Sequence, residues 1–183
     1  GERGIFNLLS AQNRAPSRRY SPLIQGTNPC GEIMLRDMEF CNLSEVVVRE
    51  EDDLDTLLDK VETATWLGVL QSTFTNFPYL RKEWKKNCDV ERLLGVSLTG
   101  QMDNPSILTS EGLKALKSRV LRISRKASTL LGVNMPVATT CVKPSGTVSQ
   151  LVDSASGCHP RYSQYYIRRY RIASSDPLFE MLK

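Results

Sequence analysis

The feature that most constrains this chain is an alternation of two patterns along its length. Glu45-Val46-Val47-Val48-Arg49 is a β-branched run suited to a buried strand, and Glu50 to Asp53 follow it as acidic residues suited to a helix N-terminus. From about Leu54 the apolar positions Leu57, Leu58, Val61, Ala64, Leu67, Gly68 and Phe74 recur at helical spacing, which predicts an amphipathic helix running to the vicinity of Pro78. A second cycle follows: a strand at Arg92 to Leu98, a loop from Gly100 to Pro105, and a helix with Leu113, Leu116, Val120, Ile123, Ala127 and Leu130 on one face. Val137 to Val142 predicts a third strand, leading through a Pro-Ser-Gly turn into a short helix, and Tyr165 to Ile172 predicts a fourth. Alternating strands and helices imply an α/β domain with a mainly parallel sheet.

Composition narrows the class. The 183 residues are 40% hydrophobic and 24% charged, which excludes disordered, collagenous and membrane-spanning chains, and a globule of this length holds a core without staples. Net charge is +4 with both signs interspersed, so charge alone gives no case for nucleic-acid or membrane binding. The basic stripe Lys114, Lys117, Arg119, Arg122, Arg125 and Lys126 lacks interleaved aromatic residues to stack on bases and reads as a solvated helix face.

Cys30, Cys41, Cys88, Cys141 and Cys158 are an odd number at wide spacing, a pattern that fits a reducing compartment and places the protein in the cytoplasm. The single histidine, His159, has no ligand pair, so a self-contained zinc site is not expected. Cys88 reads as a surface residue and Cys141 as a core residue. Cys158-His159 does not make a cysteine hydrolase, because adjacent residues rarely face one another. Gly95 to Gly100 has Walker-type glycine spacing but lacks the lysine and hydroxyl that must follow.

Two constellations carry chemistry. Lys143-Pro144-Ser145-Gly146-Thr147-Val148-Ser149 joins a strand end to a helix start, so its N–H groups and hydroxyls suit a phosphate, with an ordinary hydroxyl cap as the competing reading. Asn28-Pro29-Cys30-Gly31-Glu32 sits in a long irregular segment, residues 10 to 31. An extended backbone there puts Asn28, Cys30 and Glu32 on one face, grouping an amide, a sulfur and a general base, with Cys41 further on.

These stretches, together with Phe40-Cys41-Asn42-Leu43-Ser44-Glu45, Gly95 to Gly100, Gly157-Cys158-His159-Pro160-Arg161-Tyr162 and Tyr166-Ile167-Arg168-Arg169, resemble the catalytic chain of the adenosylcobalamin-dependent ribonucleotide reductases. Lys143 before Pro144 and the His159-Pro160 pair look closest to the members that reduce ribonucleoside triphosphates. The resemblance implies a ten-stranded α/β barrel of two half-barrels, of which this chain is one piece. It would hold much of the second half-barrel, with a central finger loop at about residues 20–42 and a phosphate loop at about 143–149.

By the same resemblance Cys30 becomes a thiyl radical that removes the ribose 3'-hydrogen. Glu32 takes the 3'-hydroxyl proton, Asn28 orients the substrate, Cys41 is half of the reducing cysteine pair, and Ser145, Gly146, Thr147, Val148 and Ser149 hold phosphate. Adenosylcobalamin is the implied cofactor, since cofactors carry the radical chemistry. The implied partners are a ribonucleoside triphosphate, a thioredoxin-like or dithiol reductant, and further segments of the same reductase that hold the partner of Cys41. Rival readings are a reductase with a separate radical-generating subunit, a noncatalytic phosphate-binding module, and a basic nucleic-acid binder. Residue 1 is Gly and a helix begins near Asp176, so the chain reads as a fragment.

Overall fold

A computed structural model describes residues 4–167 and 169–182. Its framework is a parallel strand pair, β3 (Asn42–Val47) and β4 (Leu94–Thr99), in the register Asn42↔Leu94 through Val47↔Thr99. The connection between them contains α2 (Leu54–Gln71) and α3 (Lys82–Glu91), and α4 (Ser110–Leu131) follows β4. Ahead of this unit lie α1 (Leu8–Asn13) and a short antiparallel hairpin, β1 (Gly26–Thr27) with β2 (Met34–Leu35). Beyond it come α5 (Val148–Leu151) and α6 (Pro177–Leu182).

The period-two alternation of side chains divides the strand pair into two unlike faces. Val46, Val48 and Val96 point into a core completed by Leu57, Val61 and Ala64 of α2 and by Leu116 and Val120 of α4. Each fully buried aliphatic side chain there contributes about 1.5–3 kcal/mol. The opposite face carries Leu43, Glu45, Gly95 and Ser97, and this polar face positions the site.

Local chemistry sets the helix ends. The Asp53 carboxylate accepts from Thr56 N–H at 2.8 Å, and Thr109 Oγ1 accepts from Gly112 N–H at 3.2 Å. Helix α4 ends on Gly132 in the left-handed region, φ 65°. Helix α2 stops at Gln71, short of the expected end near Pro78. There the Ser72 and Thr73 hydroxyls donate back to the Val69 and Leu70 carbonyls at 2.6 and 2.7 Å, competing with the helical ladder.

Three expectations need correction. The third strand reduces to one parallel bridge, Val96↔Thr140, with Leu94 and Val96 N–H donating to Ala138 and Thr139 carbonyls. Pro136 and Pro144 bracket it and leave no room for a longer ladder. Among the described residues of 165–172 no strand forms, and Tyr165, Ile167 and Tyr170 are exposed, because an aromatic run becomes a strand only where another strand offers its edge; Arg168 of that run lies outside the described residues. Cys88 is buried rather than on the surface, on the inner face of α3. Among the described residues no helix is long and apolar enough to cross a membrane.

Candidate functional site

Asn28 to Gly31 is a turn, so the alternation argued from an extended backbone does not hold. Asn, Pro and Gly occupy the first, second and fourth positions that a type I turn favours. Gly31 N–H donates to the Asn28 carbonyl at 3.0 Å, and Gly31 sits at φ 81°, where a side chain would strain the backbone. Asn28 closes the loop further: its Oδ1 accepts from Ile33 N–H at 3.0 Å, and its own N–H donates to the Ile33 carbonyl at 3.2 Å. The result is a hairpin with Cys30 exposed at the tip and Glu32 turned back toward the body.

The base of the hairpin is anchored by buried charge. Arg19 donates to the Met34 carbonyl at 2.7 Å, to Glu91 Oε2 through Nε at 2.8 Å, and to Glu39 Oε2 at 3.1 Å. Arg36 lies 3.6 Å from Glu39 and 3.9 Å from Glu91. Burial, with the charge of Glu91 adding to it, pushes the Glu39 carboxyl up to about 8. The Glu39 carboxyl therefore keeps its proton more readily than an ordinary carboxyl. No sequence signal pointed to this cluster, whose members come from three separate segments.

Glu32 and Cys41 line one cavity of about 510 Å³, together with Ile33, Leu93, Thr139 and Thr140. Burial raises the Cys41 thiol far above its ordinary range, with Cys141, Glu39 and Glu32 adding to the effect. Cys141, expected in the core, is half-buried on this polar side, and burial followed by Glu32 pushes its thiol up to about 11. Both thiols are therefore held protonated at neutral pH. Glu45 shares the face: both its oxygens are buried without a hydrogen bond, and Lys143 Nζ stands 4.0 Å away. Sequence reasoning missed Glu45 and Cys141 as site residues. Their strand parity on the non-core side of Val46 and Val96 was the available signal.

The 143–149 segment is tied to the same sheet, since Lys143 N–H donates to Ser97 Oγ at 3.0 Å. Ser145 is buried, and its hydroxyl accepts from Ser149 N–H at 3.1 Å, so it acts as a cap. Gly146 takes φ 58°, and among the described residues the Gly146 and Thr147 N–H groups have no partner. Thr147 and Val148 are exposed, whereas Ser149 is fully buried with an unpartnered hydroxyl. Lys143, Ser145, Gly146, Gly157 and His159 line a separate cavity of about 260 Å³. Arg161 is held above its ordinary value by hydrogen bonds to Asp103 and Asp153, and it fastens the 153–161 turn to the residues after β4. Among the described residues no group of three or more His, Cys, Asp or Glu is arranged to hold a metal ion.

No family model matches the chain. Over its whole length it is similar to proteins named adenosylcobalamin-dependent ribonucleoside-triphosphate reductase. It is 32% identical to the one from Lactobacillus acidophilus, over 219 residues, and 33% identical to the one from Levilactobacillus brevis, over 224 residues. The chain spans 29% of the length of each. Among solved structures, a crystal structure of a B-12 dependent (class II) ribonucleotide reductase matches 88% of this chain and 27% of its own, at a TM-score of 0.69 and 25% identity.

Proposed function

We infer that this chain is the radical-bearing segment of an adenosylcobalamin-dependent ribonucleotide reductase, working within a larger enzyme that reduces ribonucleoside triphosphates to 2'-deoxyribonucleotides. The observation that carries the reading is the hairpin. It exposes the Cys30 thiol at its tip while delivering Glu32 to the cavity that Cys41 lines. Similarity along the whole chain to reductases of that name supports it, and so does the mixed α/β likeness to a B-12 dependent reductase. On this reading the polar sheet face belongs to the interior of a ten-stranded barrel, and residues 20–42 are its finger.

The residues present fit such a cofactor in one respect: Cys30 is a free thiol on an exposed turn, open to a large group. When bound, adenosylcobalamin supplies homolysis of its cobalt–carbon bond. Within this chain, Cys30 would give its thiol hydrogen atom to the carbon side of that cleaved bond and, as a thiyl, would take a hydrogen atom from the ribose 3'-carbon. Glu32, whose buried Oε2 has no protein partner, accepts the 3'-hydroxyl proton. Protonated Cys41 contributes one of the two thiols that deliver electrons as the 2'-hydroxyl departs. The free N–H groups of Gly146 and Thr147 bind phosphate. Asn28 acts first by fixing the turn that aims Cys30. A thioredoxin-like or small dithiol reductant restores the thiols.

The test is the intact protein that carries this segment, assayed with adenosylcobalamin, a dithiol and ribonucleoside tri- or diphosphates. Deoxynucleotide formed from the triphosphate is expected. Glu32→Gln should lower kcat by on the order of 10²-fold with KM little changed. Unchanged kcat in that variant, or wild-type protein that yields product only with a separate radical-generating subunit, would overturn the assignment.

A further inference from the structure

Two thiols converge on the one residue of β4 that has no side chain. A methyl carbon at Gly95 would lie 2.8 Å from Cys141 Sγ and 3.4 Å from Cys41 Sγ, so the sulfurs are at most about 6.2 Å apart, the sum of those distances. They approach from opposite neighbours of β4: Cys41 immediately precedes β3, and Cys141 follows Thr140, which bridges Val96. Leu43 Cδ2 closes the same space at 2.5 Å from the methyl position, so only glycine lets the two sulfurs come this close to the strand. Glu32 acts electrostatically on both thiols, and one of its oxygens is buried without a partner. Packing alone gives no reason for two thiols to meet over a glycine within the field of a carboxylate.

We propose that Cys141 is a second partner thiol for Cys41, and that the two form a dithiol–disulfide couple contained within this chain. With one low-molecular-weight disulfide as oxidant, two protein S–H bonds and the small S–S bond break. The Cys41–Cys141 S–S bond and two small-molecule S–H bonds form, and two electrons pass from the protein to the small disulfide. Bonding at about 2.05 Å requires the sulfurs to rotate into the space over Gly95. Cys141 lies beyond a single bridge, and its own N–H donates to the Val96 carbonyl at 3.2 Å, so closure is a rotation of the two side chains over a held backbone. Attack begins from a thiolate, so the high values of both thiols make closure slow at neutral pH and faster as pH rises. The place of this couple in ribonucleotide reduction rests on the function proposed above, where the same two electrons go to the ribose 2'-carbon as its hydroxyl leaves as water. The couple itself rests on the geometry around Gly95.

The experiment incubates the intact protein with 2-hydroxyethyl disulfide at pH 9, quenches with acid, and maps unreduced peptides by mass. A peptide pair joined through Cys41 and Cys141, two hydrogens lighter than its parts, is expected. Cys141→Ser should leave Cys41 as a thiol or as a mixed disulfide with the reagent. Should that variant fold poorly, dibromobimane on the wild-type protein gives the second readout, with a cross-link between the same two peptides expected. Mixed disulfides on both cysteines without a link, both thiols left free, or Cys41 joined to some other cysteine would overturn the proposal. These readouts use neither nucleotide nor cobalamin, so they fail or succeed independently of the reductase reading.

Discussion

Cys30 and Cys41 lie eleven residues apart in sequence and stand on opposite kinds of support. Cys30 occupies an exposed turn held by the side chain and backbone of Asn28. Cys41 is half-buried beside Cys141 on the polar side of a parallel strand pair whose other side is aliphatic core. A thiol that must meet a large external group belongs where it can be reached. Thiols that must keep their protons until needed belong where burial suppresses the thiolate. The hairpin reconciles the two demands by exposing its tip while its base is locked to the body.

That contrast breaks first at the lock. Arg19→Ala removes the cation that joins Glu39, Glu91 and the Met34 carbonyl and leaves buried carboxylates without it. A loss of about 3–5 kcal/mol is expected. Cys30→Ala at the tip should stay within about 0.5 kcal/mol of wild type. Denaturant unfolding of both variants checks the pair, and comparable losses would show the tip to be as structural as the base.

The strand-helix alternation was legible because β3, α2, β4 and α4 carry their burial in local spacing. Helix α3 was not, because six of the ten residues of Lys82–Glu91 are charged and it buries only Cys88 and Glu91. The Arg19 cluster was illegible for a related reason, since each member looks like an ordinary surface charge until three segments meet. Asn28-Pro29-Cys30-Gly31 did carry a turn signal, and reading it as extended misplaced the three side chains. Cys41 and Cys141 are a hundred residues apart, and only the order of segments around β4 makes them neighbours.

Alkylation sharpens the comparison at the next scale. At pH 8 iodoacetamide should modify Cys41 and Cys141 on the order of 10²-fold more slowly than an unperturbed thiol, because Cys141 is pushed up to about 11 and Cys41 further still. Cys30 should react in the fast group. Mass mapping over time gives the ratio, and equal rates for Cys30 and Cys41 would erase the distinction between tip and face.

The smallest effect is a pH slope in the lock. Glu39 is raised in the folded protein to about 8, so the folded state binds more protons than the unfolded state between the ordinary carboxyl value and that point. Its contribution is fully present below the ordinary value and is lost as pH rises toward 8. Glu39→Gln keeps the shape and cannot ionise, so the variant should gain on wild type steadily as pH rises from 5 to 8. Parallel stability curves would mean that Glu39 holds no extra proton.

The most direct measurement follows a tritium label at the ribose 3'-carbon of a ribonucleoside triphosphate, using the intact protein with adenosylcobalamin. Wild type and Cys41→Ser should both wash label into water, because in the proposed mechanism Cys30 takes the hydrogen before the reducing pair acts. Only wild type should go on to repeated dithiol-dependent turnover, and Cys30→Ala should fold and bind nucleotide yet release no label. Label released by Cys30→Ala at the wild-type rate would contradict the assignment of the radical to the hairpin tip.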